Sequence, residues 1–94
     1  MNLPQILDDI HAIDGLLANF EQRYGLLSDT FFGWYQEGHE PAEQTWVLDF
    51  SEWAGLCKSR QRLLALYQRE LERLKRSGHD LTIVMQQTQK ALAA

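Results

Sequence analysis

An all-α fold is predicted for this chain by three observations. Two long stretches, Leu3–Leu27 and Phe50–Leu74, place apolar residues at alternating spacings of three and four. Glycines and short polar residues stand where helices would have to begin and end. The hydrophobic fraction, 45% of 94 residues, is that of a folded chain and excludes wholesale disorder. The length sets a single helical domain over residues 1–94. Its expected architecture is a long antiparallel helical hairpin, with a short aromatic-rich helix at the turn and a further helix at the C-terminal end.

The first helix is read from Pro4 to Tyr24. Leu3, Ile6, Ile10, Ile13, Leu17, Phe20, Tyr24 and Leu27 alternate strictly, the cleanest periodic signal in the chain. Asn2 can cap the start, and Pro4 suits a first turn, where its missing N–H would be unpaired anyway. Gly25 is the natural stop, because glycine enters the left-handed C′ conformation without steric cost. Gly15 falls on the outer side of the seam.

Ser28 and Asp29 are expected to cap a short second helix through Phe31, Phe32, Trp34 and Tyr35, ended by Gly38. Four aromatics in five residues cannot share one helix face. Some must close the end of the hairpin, and the rest are candidates for a binding surface. His39 to Val47 reads as a loop, with Trp46, Val47 and Leu48 folding back onto the core.

The long helix runs from Asp49 to Arg76, capped by Asp49 or Ser51 and stopped by Ser77 and Gly78. Phe50, Trp53, Cys57, Leu64, Tyr67, Leu71 and Leu74 form its seam, which only Arg60 interrupts. Leu56 and Leu63 widen the stripe beyond what a two-stranded coiled coil uses, toward a helix with two neighbours. Asp80 caps a last helix marked by Leu81, Val84, Met85, Thr88 and Leu92. Leu81 to Met85 is also compatible with a strand, and Gln86 to Ala94 is expected to fray.

The composition narrows the function classes. The single Cys57 cannot form an internal disulfide, and one reduced thiol on an apolar stripe fits a cytoplasmic protein. No secretory leader is expected, and no apolar run approaches the roughly 20 residues of a membrane span. His11, His39 and His79 lie in separate segments without metal-ligand spacing, so no metal or cofactor is expected. No phosphate-binding loop or nucleophile motif appears, and the chain does not read as an enzyme.

Charge is distributed unevenly. The net charge is −4, yet residues 1–53 carry −9 and residues 54–94 carry +5. Lys58, Arg62, Arg69, Arg73 and Arg76 gather on one side of the long helix, opposite its seam. Such a stripe is a solvated helix back or a ridge for phosphate or an acidic protein. A pI near 5.2 argues against nucleic acid as sole ligand. On the acidic half, Asp9, Asp14 and Glu21 flank the first seam. They are candidates for a surface that covers a basic partner.

One resemblance adds to this reading. Glu21, Arg23, Tyr24, Gly25 and Leu26, then Ser28 and Phe32, Gly38, and Asp49, Phe50, Glu52 and Trp53 before the charged helix with Tyr67, Leu71 and Leu74, resemble a group of short bacterial and cyanobacterial proteins. That group is similar to the antitoxin halves of small two-protein toxin–antitoxin modules. The match runs from about Glu21 to Leu74. It departs from the group's pattern at Arg23, at Leu26 and in a longer segment between Gly38 and Asp49. The resemblance implies a cytoplasmic, helical, non-catalytic protein that silences a small toxin, such as a ribonuclease, by direct contact. From the residues themselves, the expected partner-binding set is Asp9, Asp14, Glu21, Phe32, Trp34, Tyr35, Arg62, Arg69 and Arg73. The expected partners are a second copy of the chain and a small basic toxin encoded beside it. A self-associating structural protein, or a weak nucleic-acid binder using the basic face of residues 49–76, is the alternative.

Overall fold

A computed structural model describes residues 1–93. It holds four helices: α1 (Leu3–Tyr24), α2 (Ser28–Gln36), α3 (Val47–Arg76) and α4 (Leu81–Ala93), with a 3-10 turn at Gln44–Trp46. No strand occurs among the described residues.

The ends of α1 follow local chemistry. The Asn2 carboxamide accepts from the Gln5 N–H at 3.0 Å, and the Gln5 side chain accepts from the Asn2 N–H at 3.1 Å. Two orphan donors of the first turn are thereby satisfied reciprocally. Gly25 closes the helix at φ 77°, with its N–H donating to the Glu21 carbonyl at 2.8 Å.

Two expected helix starts change. Ser28 lies inside α2, with Leu27 in the cap position. The cap is supplied from a distance: the Ser28 N–H donates to Glu21 Oε2 at 2.8 Å. The long helix begins two residues earlier than Asp49, at Val47, and the Asp49 carboxylate is held by tertiary partners. Of the three residues expected to fold back, Trp46 packs on the core, whereas Val47 and Leu48 are exposed. Asp80 does cap α4, its carboxylate accepting from the Ile83 N–H at 3.1 Å. That helix spans Leu81–Ala93, so Leu81 to Met85 is helix and not strand; Ala94 lies outside the described residues.

Helices α1 and α3 pack together. Tyr24 meets Asp49 and Asp14 meets Arg60, so the end of α1 lies beside the start of α3. One cluster joins α1, α2 and α3: Leu17, Phe20, Phe31, Phe32, Phe50, Trp53, Ala54 and Cys57. Trp53 is its centre and is 0% exposed. The Phe31 ring stacks on it at 3.8 Å and 1°, and the Phe20 ring at 5.6 Å and 12°. Such ring pairs add roughly 0.5–1.5 kcal/mol each beyond the area they bury.

Away from this cluster the packing thins. Ile6 and Ile10 are buried, but Leu63, Leu64, Leu66, Tyr67, Leu71 and Leu74 are only half-buried. Arg60, which interrupts the seam, turns to α1 and donates to Asp14 at 2.6 Å. No buried residue is found on α4 among the described residues.

Candidate protein-binding surface

Several residues between Glu21 and Trp53 converge on one joint. Ser28 is its hub. Its hydroxyl accepts from the Trp53 indole N–H at 2.9 Å, its N–H is taken by Glu21, and its carbonyl lies 3.9 Å from the Cys57 sulfur. A few ångströms along α1, the Tyr24 hydroxyl donates to Asp49 Oδ2 at 2.6 Å and Arg23 donates to the same oxygen at 2.7 Å. Glu21, Tyr24, Ser28, Asp49 and Trp53 therefore tie three helices together. The spacing of these residues is a folding signature.

The same geometry quiets their chemistry. The Asp49 carboxyl is held below its ordinary range, chiefly by the Tyr24 hydroxyl and then by Arg23. Tyr24 is pushed up, first by burial and then by its bond to Asp49. The proton stays on the phenol, and neither group is poised for proton transfer at neutral pH. Burial, with the charges of Asp29 and Glu21, pushes the Cys57 thiol up to about 11, so it stays protonated and unreactive. Among the described residues, no group of three His, Cys, Asp or Glu side chains could hold a metal ion. No helix among them is long and apolar enough to cross a membrane.

The residues expected to bind a partner are dispersed. Phe32 is buried in the core, and Tyr35 stacks on Phe31 at 5.3 Å, half-buried. Asp14 is engaged by Arg60, and Glu21 caps α2. Trp34 is partly exposed and stacks on His39 at 5.0 Å and 3°. Asp9 is exposed on α1. On α3, Arg62 donates to the Ser59 hydroxyl and Arg73 makes two bonds to Glu70, leaving Arg69 at the rim of a groove. Arg76 also bonds within its own helix, at the Glu72 carbonyl. Much of the basic stripe is thus paired along α3, which weakens it as a phosphate ridge.

Two features escaped the sequence. The first is an apolar-floored groove of about 340 Å³, lined by Met1, Ile6, Leu66, Arg69, Glu70, Arg73 and Arg76. Its walls come from Met1 and Ile6 and from residues 66–76, so no local spacing announces it. The second is the exposure of large apolar side chains at Leu26, Leu27 and Leu48, beside the Tyr24–Asp49 bond. Leu27 continues the seam in sequence, but the chain leaves the helical path at Gly25 and carries it into solvent.

Comparison of the chain with protein-family models, with curated proteins and with solved structures gives no match.

Proposed function

We propose that this chain is a cytoplasmic, helical protein-binding module that works by direct contact, in the manner of an antitoxin that covers a small toxin. Its scaffold is an antiparallel hairpin of α1 and α3, closed at one end by the aromatic α2. One observation carries the reading. The groups that could do chemistry, Tyr24, Ser28, Asp49 and Cys57, are spent on holding helices together, while large apolar side chains stand in solvent. Exposed apolar patches rimmed by charge mark surfaces that meet other macromolecules.

The placement of the acids revises how a basic toxin would be steered. Asp14 and Glu21 are engaged internally, which leaves Asp8 and Asp9 as the exposed acids of α1's first half. Co-expression with the product of the adjoining gene tests the proposal. The two proteins should co-purify. Changing Asp8→Asn and Asp9→Asn should slow association at low salt and converge with wild type at high salt. Absence of any complex with the neighbour would end the antitoxin reading.

A further inference from the structure

Helix α4 has an apolar face that is largely uncovered. Leu81, Val84, Met85 and Leu92 recur at helical spacing, and three of them are 47%, 57% and 82% exposed. Isolated helices of 13 residues are marginal in water, so the stability of α4 has to come from burying that face. Lys90 is its only charged side chain, so it offers little to an ionic partner.

The rest of the molecule has the complementary deficit. The half of α3 beyond Arg60 presents Leu64, Leu66, Tyr67, Leu71 and Leu74 only half-buried. The groove floored by Ile6 and Leu66 opens on this half. The size of the deficit can be stated. A compact monomer of 10.9 kDa exposes roughly 5,600 Å². This chain exposes 6935 Å², an excess of roughly 1,300 Å² over that relation. Its radius of gyration is 17.1 Å, against about 12 Å for a compact chain of this length. A standard interface buries roughly 800 Å² on each partner, so the excess is enough to form one.

We propose that a second copy of this chain supplies the cover: α4 of each protomer lays its apolar face on the aliphatic half of α1 and α3 of the other. Both the uncovered helix and the uncovered seat belong to one sequence, which is what a two-fold, self-complementary interface requires. The interface is separate from toxin binding and does not rest on it.

The test uses the full chain alone. Wild type should sediment as a dimer at about 20–100 µM, since interfaces of this size have micromolar or tighter dissociation constants. A variant with Leu81→Gln, Val84→Gln, Met85→Gln and Leu92→Gln should dissociate roughly a hundredfold more readily or worse, since each buried apolar side chain is a large part of a tenfold step or more. It should keep the near-ultraviolet signature of the Trp53 core. A second variant, Leu66→Gln with Leu71→Gln, impairs the seat and leaves α4 intact. Mixing the two should restore association in part, because one good seat and one good helix remain. Three results would overturn the proposal: a wild-type monomer at 100 µM, an α4 variant that dimerises like wild type, or a mixture that associates no better than either variant alone.

Discussion

The two halves of the α1–α3 pair are built to different standards. Around Trp53, rings from three helices stack within 6 Å, and the indole N–H finds the Ser28 hydroxyl. Beyond Arg60, the same α3 presents leucines that are only partly buried. The hydrophobic content of the two halves is comparable, so composition does not separate them. Geometry does: α2 gives the aromatic half a third wall, and nothing among the described residues gives the aliphatic half one. A third neighbour makes a two-helix contact into a core. The aromatic half therefore sets the stability of the isolated chain, and the aliphatic half is where a partner has energy to contribute.

The largest effect should come from the aromatic half. Trp53→Ala removes a fully buried ring and its hydrogen bond, and should cost about 3–5 kcal/mol, enough to unfold many small domains. Urea denaturation followed by far-ultraviolet circular dichroism measures it. A loss under about 1 kcal/mol would place the core elsewhere, because core truncations of this size cost several times more. Ser28→Ala is gentler in volume but strands the buried indole N–H of Trp53. It should cost about 1–3 kcal/mol, the usual penalty for an unmade buried bond. A loss near zero would mean that water takes the place of the hydroxyl.

The aliphatic half should respond differently in kind. A seam position alone suggests the ~2–5 kcal/mol of a packed leucine for Leu71→Ala. Its half-burial lowers this to about 1–2 kcal/mol in the monomer. If a second copy covers the site, the measured cost should grow between about 1 and 100 µM protein, because mass action adds the partner's contribution. The cost of Trp53→Ala should not change with concentration. Equal concentration dependence for the two substitutions would erase the distinction between the halves.

Much of this was legible in the sequence, and the failures share a cause. The caps at Asn2, Gly25 and Asp80 were readable because each acts within three or four residues. The seam of α1 was readable because period alone marks a buried face. Ser28 and Asp49 were misassigned as local caps. Their types are right for caps, but their partners lie 25 residues away. The engagement of Asp14 was illegible for the same reason: nothing local tells that it meets Arg60 across 46 residues. Arg60 itself was visible only as a break in the seam. The break is an ion pair to α1, at the level where the aromatic packing gives way to aliphatic packing.

The smallest predicted effect separates a joint between helices from a pair on one helix. Asp49 and Glu70 are both held below their ordinary values, near 3.8 and 4.5. For Asp49 the main cause is the Tyr24 hydroxyl, then Arg23; for Glu70 it is the Arg73 guanidinium. A depressed carboxyl contributes stability that is fully present above its unfolded value and is lost as pH falls through its folded value. Stability should therefore decline below about pH 4 in the wild type. The two carboxylates should not share that decline equally. Asp49 binds α1 to α3, and its bonds exist only when the two helices are together. Glu70 and Arg73 are three residues apart on α3, and their contact survives wherever that helix does. Its stake in tertiary folding is correspondingly small, because an i,i+3 pair stabilises the helix that carries it by only about 0.2–0.5 kcal/mol. Asp49→Asn should flatten the acid limb of a plot of urea midpoint against pH between 3 and 6, and Glu70→Gln should leave it nearly as steep as wild type. Equal flattening by both would mean that the Tyr24–Asp49–Arg23 contact is no more of a joint than a surface pair. The aromatic half would then rest on ring packing and the Ser28 hub alone.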